Sequence, residues 1–302
     1  MKLAESSFDR NSQPLWQKIK PYVIIAPAIL SILIFVVYPL VCQIVLSFTD
    51  WNLIRPVNHF VGLKNYETLF ASRDFKQVVG NTMVYTVSFV VCTLALALLF
   101  SFWLSADTRL NRLVQSIIFL PHITALVSVA LMFMWLMDPQ IGLFNYVLRL
   151  LHLPECRWLE SSKTSMMSIV IVSVWKSLGY YTLVILSALK GVPKELYEAA
   201  DLDNSSRIKS FFKITIPMIS PTLFFLLVVM TIISFNVFDT ISVMTGGGPV
   251  NSTNVMVFYI YQYAFSYMKV GYASAAGTVL LAIVGVMTFV YFRLLAQKVH
   301  YR

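Results

Sequence analysis

Charge is scarce in this chain. Asp, Glu, Lys and Arg make up 12% of its 302 residues, about half the ~25% of a soluble globular domain. Acids are the scarcer sign: 14 against 23 Lys and Arg, a formal net charge of +9. Cysteine is nearly absent. Cys42 and Cys92 lie in apolar segments and Cys156 in a loop, with no paired spacing, which argues against a disulfide framework or a cysteine metal site. No glycine directly precedes a lysine, so there is no G-x-x-x-x-G-K phosphate loop and the chain cannot bind ATP in the usual way. H-E-x-x-H and G-x-S-x-G are missing too. The four histidines, His59, His122, His152 and His300, form no catalytic constellation. No enzyme activity, metal or cofactor is expected of this chain.

What is present is apolar length. The chain is 58% hydrophobic with a mean hydropathy of +0.74. A membrane-crossing helix needs about 20 apolar residues, and six segments reach that length: 22–48, 78–104, 113–137, 164–189, 219–244 and 271–295. The predicted class is therefore an all-α polytopic membrane protein, one six-helix domain over 22–296 between tails at 1–21 and 297–302. No cleavable signal peptide is evident, because the first apolar segment is long and five more follow. Pro27 and Pro39 predict a kinked or tilted first span.

Six crossings put both termini on one side. Lys and Arg concentrate in the N-terminal tail (Lys2, Arg10, Lys18, Lys20), the loop at 105–112, the stretch from Lys190 to Lys213, and the C terminus from Arg293. The other side carries fewer, among them Arg55, Lys64, Arg149 and Lys269. The positive side is cytoplasmic. The same rule explains the net charge without nucleic acid as a partner.

Residues 191–217 interrupt the apolar pattern with a charged stretch too polar for lipid. Pro193 suits a first helical position, and Lys194 to Leu202 predicts a short helix. Asp203-Asn204-Ser205-Ser206 breaks it and supplies caps for a second short helix through Phe212. Pro217 and Pro221 are expected to mark the return to the membrane. Glu198-Ala199-Ala200, a turn residue at 204, and Ile214-Thr215-Ile216-Pro217 resemble the EAA loop of ATP-binding-cassette importer permeases. The family has Gly at the turn where this chain has Asn204, a residue that tolerates left-handed backbone. Pro39, Ser47 to Trp51, Val61 to Tyr66, Phe119-Leu120-Pro121, Gly142 to Asn145 and Thr245 to Pro249 extend the resemblance from Tyr22 to the C terminus. It is closest to carbohydrate permeases related to the maltose F subunit and the glycerol-3-phosphate A subunit.

The resemblance implies a heterodimer with a second permease, two copies of an ABC ATPase, and an extracytoplasmic solute-binding protein. It implies that 191–217 docks on the ATPase, with Glu198 as the charge and Tyr197, Ala199, Ala200 and Leu202 as the apolar contact. Asn204 and Pro217 would complete the coupling element. Alternatively Glu198 pairs locally with Lys194 at i−4.

Polar groups inside spans are costly and usually functional. Trp175, Lys176, Tyr180 and Tyr181 on the fourth span, with Asn236 and Asp239 read at i, i+3 on the fifth, are the substrate-path candidates. Aromatic faces with planar hydrogen-bonding groups suit a sugar. Asn81 and Gln115 are weaker candidates near span ends. Other readings stay open: Lys176 pairs with an acid on the partner, Asp239 only ends its helix, and Tyr180 and Tyr181 pack. Thr245 to Pro249 is flexible by composition and is either a docking loop or a plain turn. Trp51 and Trp158 meet the solute-binding protein or are interfacial aromatics. The cargo is expected to be a sugar or polyol, with sn-glycerol-3-phosphate or a glycerophosphodiester as the alternative, where Lys176 would meet the phosphate. From a different class, an ion-coupled carrier would use Asp239 and Lys176 as its pair.

Overall fold

Without water in the hydrocarbon layer, a crossing segment has to satisfy its own backbone, and a helix does so locally. The computed structural model describes residues 15–54 and 59–294, and these are helical apart from loops and one antiparallel bridge, Thr49 to Phe60. Most of the N-terminal tail, with Lys2 and Arg10, lies outside the described residues, as do Arg55 and the C-terminal tail 297–302.

Among the described residues, five helices are long and apolar enough to cross: α1 (Ile19–Leu46), α3 (Arg73–Trp103), α7 (Ser165–Lys190), α9 (Arg207–Phe235) and α12 (Val270–Leu294). Between α1 and α3 lies α2 (Lys64–Ala71). The sixth crossing is a pair, α4 (Arg109–Ile123) and α5 (Leu126–Leu136), bent by 100° at the break. Shorter pieces are α6 (Leu143–Leu150), α8 (Lys194–Leu202), α10 (Asp239–Met244) and α11 (Met256–Tyr261).

That the bent pair crosses follows from the loops at either end. Gln77 and Asn81 on α3 donate to Val250 and Asn251, Ser165 meets Ser252, and the Gly271 N–H bonds the Trp51 carbonyl. Those loops share one end of the bundle. Phe102 at the far end of α3 touches Phe211, at the start of α9, at the other. The α4–α5 pair leads from the second end back to the first.

The core lies between α3, α7 and α9. Tyr85, Phe89, Ile169, Ile185, Leu226 and Met230 are buried there. A second cluster, with Leu69, Phe75 and Tyr259, ties α2, α3, α11 and α12, and a third, with Phe133, Val172 and Met244, seats α5 against α7 and α10. α1 stands aside: residues 19–41 are all exposed, and its last turns rest on α12.

The helix of the fifth span has other bounds than expected. The fifth span runs unbroken from Arg207, twelve residues earlier than 219, and ends at Phe235 rather than 244. Pro217 lies within this continuous helix, at the start of its regular α portion, Ile216–Phe235. A π-turn at Phe211–Thr215 ends one residue short of Pro217, with Ile216 between. A proline inside a helix lacks an N–H and its ring crowds the carbonyl four residues back; a π-turn widens the helix at that point. α1 repeats the device, with a π-turn at Leu33–Val37 before Pro39.

Gly179 sets the distance between α4 and α7. A Cβ there would collide with the Ile118 carbonyl oxygen of α4, whereas a Cβ at Gly80 on α3 meets nothing. Gly179→Leu is expected to lower stability by about 1–3 kcal/mol, the range for overpacking. Thermal unfolding in detergent should show a lowered midpoint for Gly179→Leu and an unchanged one for Gly80→Ala.

Candidate functional site

The charged hairpin is built as a handle. α8 begins after Pro193, which sits in extended backbone one position before the helix rather than as its first residue. Leu196 and Tyr197 pack toward the bundle and Ala200 is 8% exposed. The hydroxyls of Tyr197 and Thr215 meet at 2.9 Å, fastening α8 to the π-turn at the base of α9. Asn204 makes the turn at φ 52°, and the Ser206 hydroxyl accepts the Lys209 N–H to start α9. Glu198, Ala199 and Leu202 face outward, Leu202 at 86% exposure.

The helix therefore divides the expected contact set. Tyr197 and Ala200 bind the handle to its own bundle, and Glu198, Ala199 and Leu202 form the free face. Glu198 makes no ion pair with Lys194 or any other described residue.

A chamber of about 220 Å³ opens where α3, α7 and the end of α9 meet the α4–α5 bend. It brings together Lys176, Asn236 and Asp239 of the expected set with Tyr85, Phe89 and His122. Asn236 and Asp239 do not lie on the fifth span. Asn236 caps the C terminus of α9, where its side-chain N–H donates to the Ile232 carbonyl at 2.9 Å, and Asp239 begins α10. Trp175, Tyr180 and Tyr181 are outside the chamber lining. Trp175 packs on Phe133 at 5.1 Å, Tyr180 stacks on His122 at 4.7 Å, and Tyr181 is 3% exposed in the core. Sequence reasoning missed Tyr85 and Phe89, four apart on α3, and Ser173, which accepts the Tyr85 hydroxyl proton at 2.9 Å. Their i, i+3 and i, i+4 spacing to each other and to Lys176 was the available signal.

Lys176 has a task of its own. Its Nζ donates to the carbonyls of Pro121, His122 and Thr124 at 3.2, 3.1 and 2.7 Å. These are carbonyls released where the third crossing breaks. An ammonium has three donors, so none is left for a ligand in this conformation.

The loops at the opposite end are tied down. Composition predicted flexibility for Thr245 to Pro249, but the Thr253 hydroxyl donates to the Gly248 carbonyl at 2.7 Å, and Asn81 donates to Asn251 and Asn254. Val250 and Asn251 both adopt left-handed backbone. Trp158 donates its indole N–H to Asn145 at 2.9 Å, and Asn145 also holds both the Cys156 amide and carbonyl. Asp138 accepts the N–H groups of Gln140 and Ile141, which hold its carboxyl below the usual range.

Comparison with known proteins gives a consistent likeness. The sequence pattern of the family described as "Binding-protein-dependent transport system inner membrane component" matches residues 90–301. The chain is 35% identical over 271 residues to the probable ABC transporter permease protein YurN of Bacillus subtilis, covering 88% of this chain and 92% of that one. It is 32% identical over 289 residues to the sn-glycerol-3-phosphate transport system permease protein UgpA of Pectobacterium atrosepticum, covering 93% and 96%. Its fold is similar to a chain of a bacterial ABC transporter involved in the import of the acidic polysaccharide alginate, with TM-score 0.80, 25% identity, and coverage of 94% and 100%.

Lys176→Met would take the ammonium away from the His122 and Thr124 carbonyls, while the Pro121 carbonyl keeps the Thr124 N–H. It removes the charge-assisted hydrogen bonds that tie α7 to the break, so Lys176→Met should lower the thermal midpoint while Lys176→Arg retains most of it. A wild-type midpoint for Lys176→Met would remove the ammonium from the bend.

Proposed function

This chain belongs to the family of binding-protein-dependent transport system inner membrane components, and from that premise we propose that it is the membrane-spanning permease subunit of an ATP-binding-cassette importer for a sugar or related polyol. It lacks a phosphate loop, so ATP is hydrolysed by separate subunits. Two ATPase copies work with a heterodimer of this chain and a second permease, and a solute-binding protein delivers cargo outside. The permease domain spans 22–296, with the coupling loop 191–217 and both tails, 1–21 and 297–302, in the cytoplasm.

The observation that carries this reading is the handle. α8 is fastened to α9 through Tyr197 and Thr215, and its Glu198, Ala199 and Leu202 face outward. A rigid element fixed to a crossing helix converts movement of a partner into movement of the bundle. An ion-coupled carrier has no use for such a surface.

The cargo path runs through the chamber beside the bend. Asn236 and Asp239 supply polar contacts, and Tyr85 and Phe89, stacked within 6° of parallel, supply an aromatic wall. Such a wall suits the C–H faces of a sugar. The name of the Pectobacterium relative favours sn-glycerol-3-phosphate as a second reading. Against it, Lys176 has its N–H groups committed to carbonyls, which leaves a phosphate without that cation.

Leu202→Asp and Glu198→Lys should each cut ATPase co-purification about tenfold, equivalent to ~1.4 kcal/mol, without changing the thermal midpoint. Ala200→Asp places a charge on the inward face and should lower the midpoint as well. Wild-type co-purification of Leu202→Asp would overturn docking through this face. Uptake that persists without any ATPase, and collapses with the ion gradient, would replace the importer with a carrier.

A further inference from the structure

We propose that the groove between the cytoplasmic ends of α3 and α9 is a binding site for one anionic phospholipid, with its headgroup on Arg207 and an acyl chain along Leu99, Phe102 and Phe212. The proposal rests on the orientation given above, with α8 in the cytoplasm.

The groove encloses about 410 Å³ and is apolar apart from Arg207 at its mouth. Its walls are α3 and the first turns of α9. Leu99 and Phe212 are each 65% exposed, so the surface is available to hydrocarbon. Phe102 and Phe211 meet edge to face at 5.5 Å. They separate the groove from a polar cleft of about 690 Å³ beneath the hairpin, which Lys190, Lys194, Asp107 and Asp201 help to line. Arg207 lines both spaces. It sits at the seam between an apolar slot and a wet, charged one, as the phosphate of a lipid does.

The charges favour an anion. Arg207 forms no ion pair among the described residues; of the acids that line the cleft, Asp107 lies 3.8 Å from Arg112, and Asp201 is outnumbered by Arg207, Lys190 and Lys194. Lys190 and Lys194 add positive charge on the polar side. The cytoplasmic leaflet carries the anionic lipids, and each Lys or Arg near its surface contributes attraction. Trp103 also lines the space around Arg207, and tryptophan favours the headgroup level. A second protein laid in the groove would have to bring its own acid to Arg207; an anionic lipid brings a phosphate and a chain together. The site lies at the root of the handle, one turn before the π-turn.

The test is photo-crosslinking in the assembled transporter, reconstituted in vesicles with a trace of either phosphatidylglycerol or phosphatidylcholine bearing a photoreactive acyl chain. Labelled peptides are mapped by mass spectrometry. Peptides containing Leu99 to Trp103 or Ile208 to Phe212 should be labelled about fivefold more by phosphatidylglycerol, the preference one arginine near the surface gives. Arg207→Gln should bring the ratio near one, and Arg207→Lys should keep it. Equal labelling by both lipids in the wild type would make the groove ordinary annular surface and overturn the site. So would labelling by neither lipid, which would mean that another subunit covers it. The orientation is checked separately: Leu202→Cys should resist a membrane-impermeant maleimide applied to intact cells, and its labelling from outside would defeat the transport topology whatever the lipid ratio.

Discussion

A backbone that bends inside a membrane must find partners for the groups the bend releases. The third crossing of this protein turns by 100° between Ile123 and Leu126, and the Lys176 ammonium takes up three carbonyls there. Much else depends on that junction. Gly179, one turn further along α7, allows α4 close enough for the lysine to reach. Tyr180 stacks on His122 beside it. The chamber opens where the bend carries α5 away from α4 and onto α10. One charge, beside one glycine-mediated contact, ties the bend down next to that space.

The other end of the molecule is organised by anchoring. α8 would be a marginal helix alone, since nine residues are too few for stability in water. Burial of Leu196, Tyr197 and Ala200 against the bundle holds it in place, and the Tyr197–Thr215 bond fixes it to α9. The face left over owes its composition to what anchoring does not use.

Much of this was legible in the sequence. Apolar length gave the all-α membrane class, and Lys194 to Leu202 forms a helix with the bounds its residues predict. Asn204 takes the left-handed turn that Asn tolerates. The differences have separate causes. The helix continues through Pro217 although proline breaks an α-helix, because a π-turn comes before it, and that turn depends on hydrogen-bond register rather than residue type. Asn236 and Asp239 lie beyond the fifth span because its helix ends at Phe235, inside an apolar run that continues past it. Lys176 stood out because an intramembrane charge is costly, and it lines the chamber; the carbonyls it also holds lie more than fifty positions away, which no local pattern reveals. Tyr181, beside Tyr180, points into the core because adjacent helix positions face different ways.

The π-turn at Phe211–Thr215 also sets an angular phase. A helix advances about 100° per residue, and a π-turn houses one residue more than an α-turn does. Everything before it is thus rotated by that step relative to a continuous helix through α9. Removing one residue from the turn would regularise the helix, yet it would swing the handle about the axis and aim Glu198 and Leu202 elsewhere. Within this segment an insertion or deletion acts as a change of bearing, and the direction in which the exposed face of α8 points is encoded in the count of residues between Ser206 and Pro217 as firmly as in their identity.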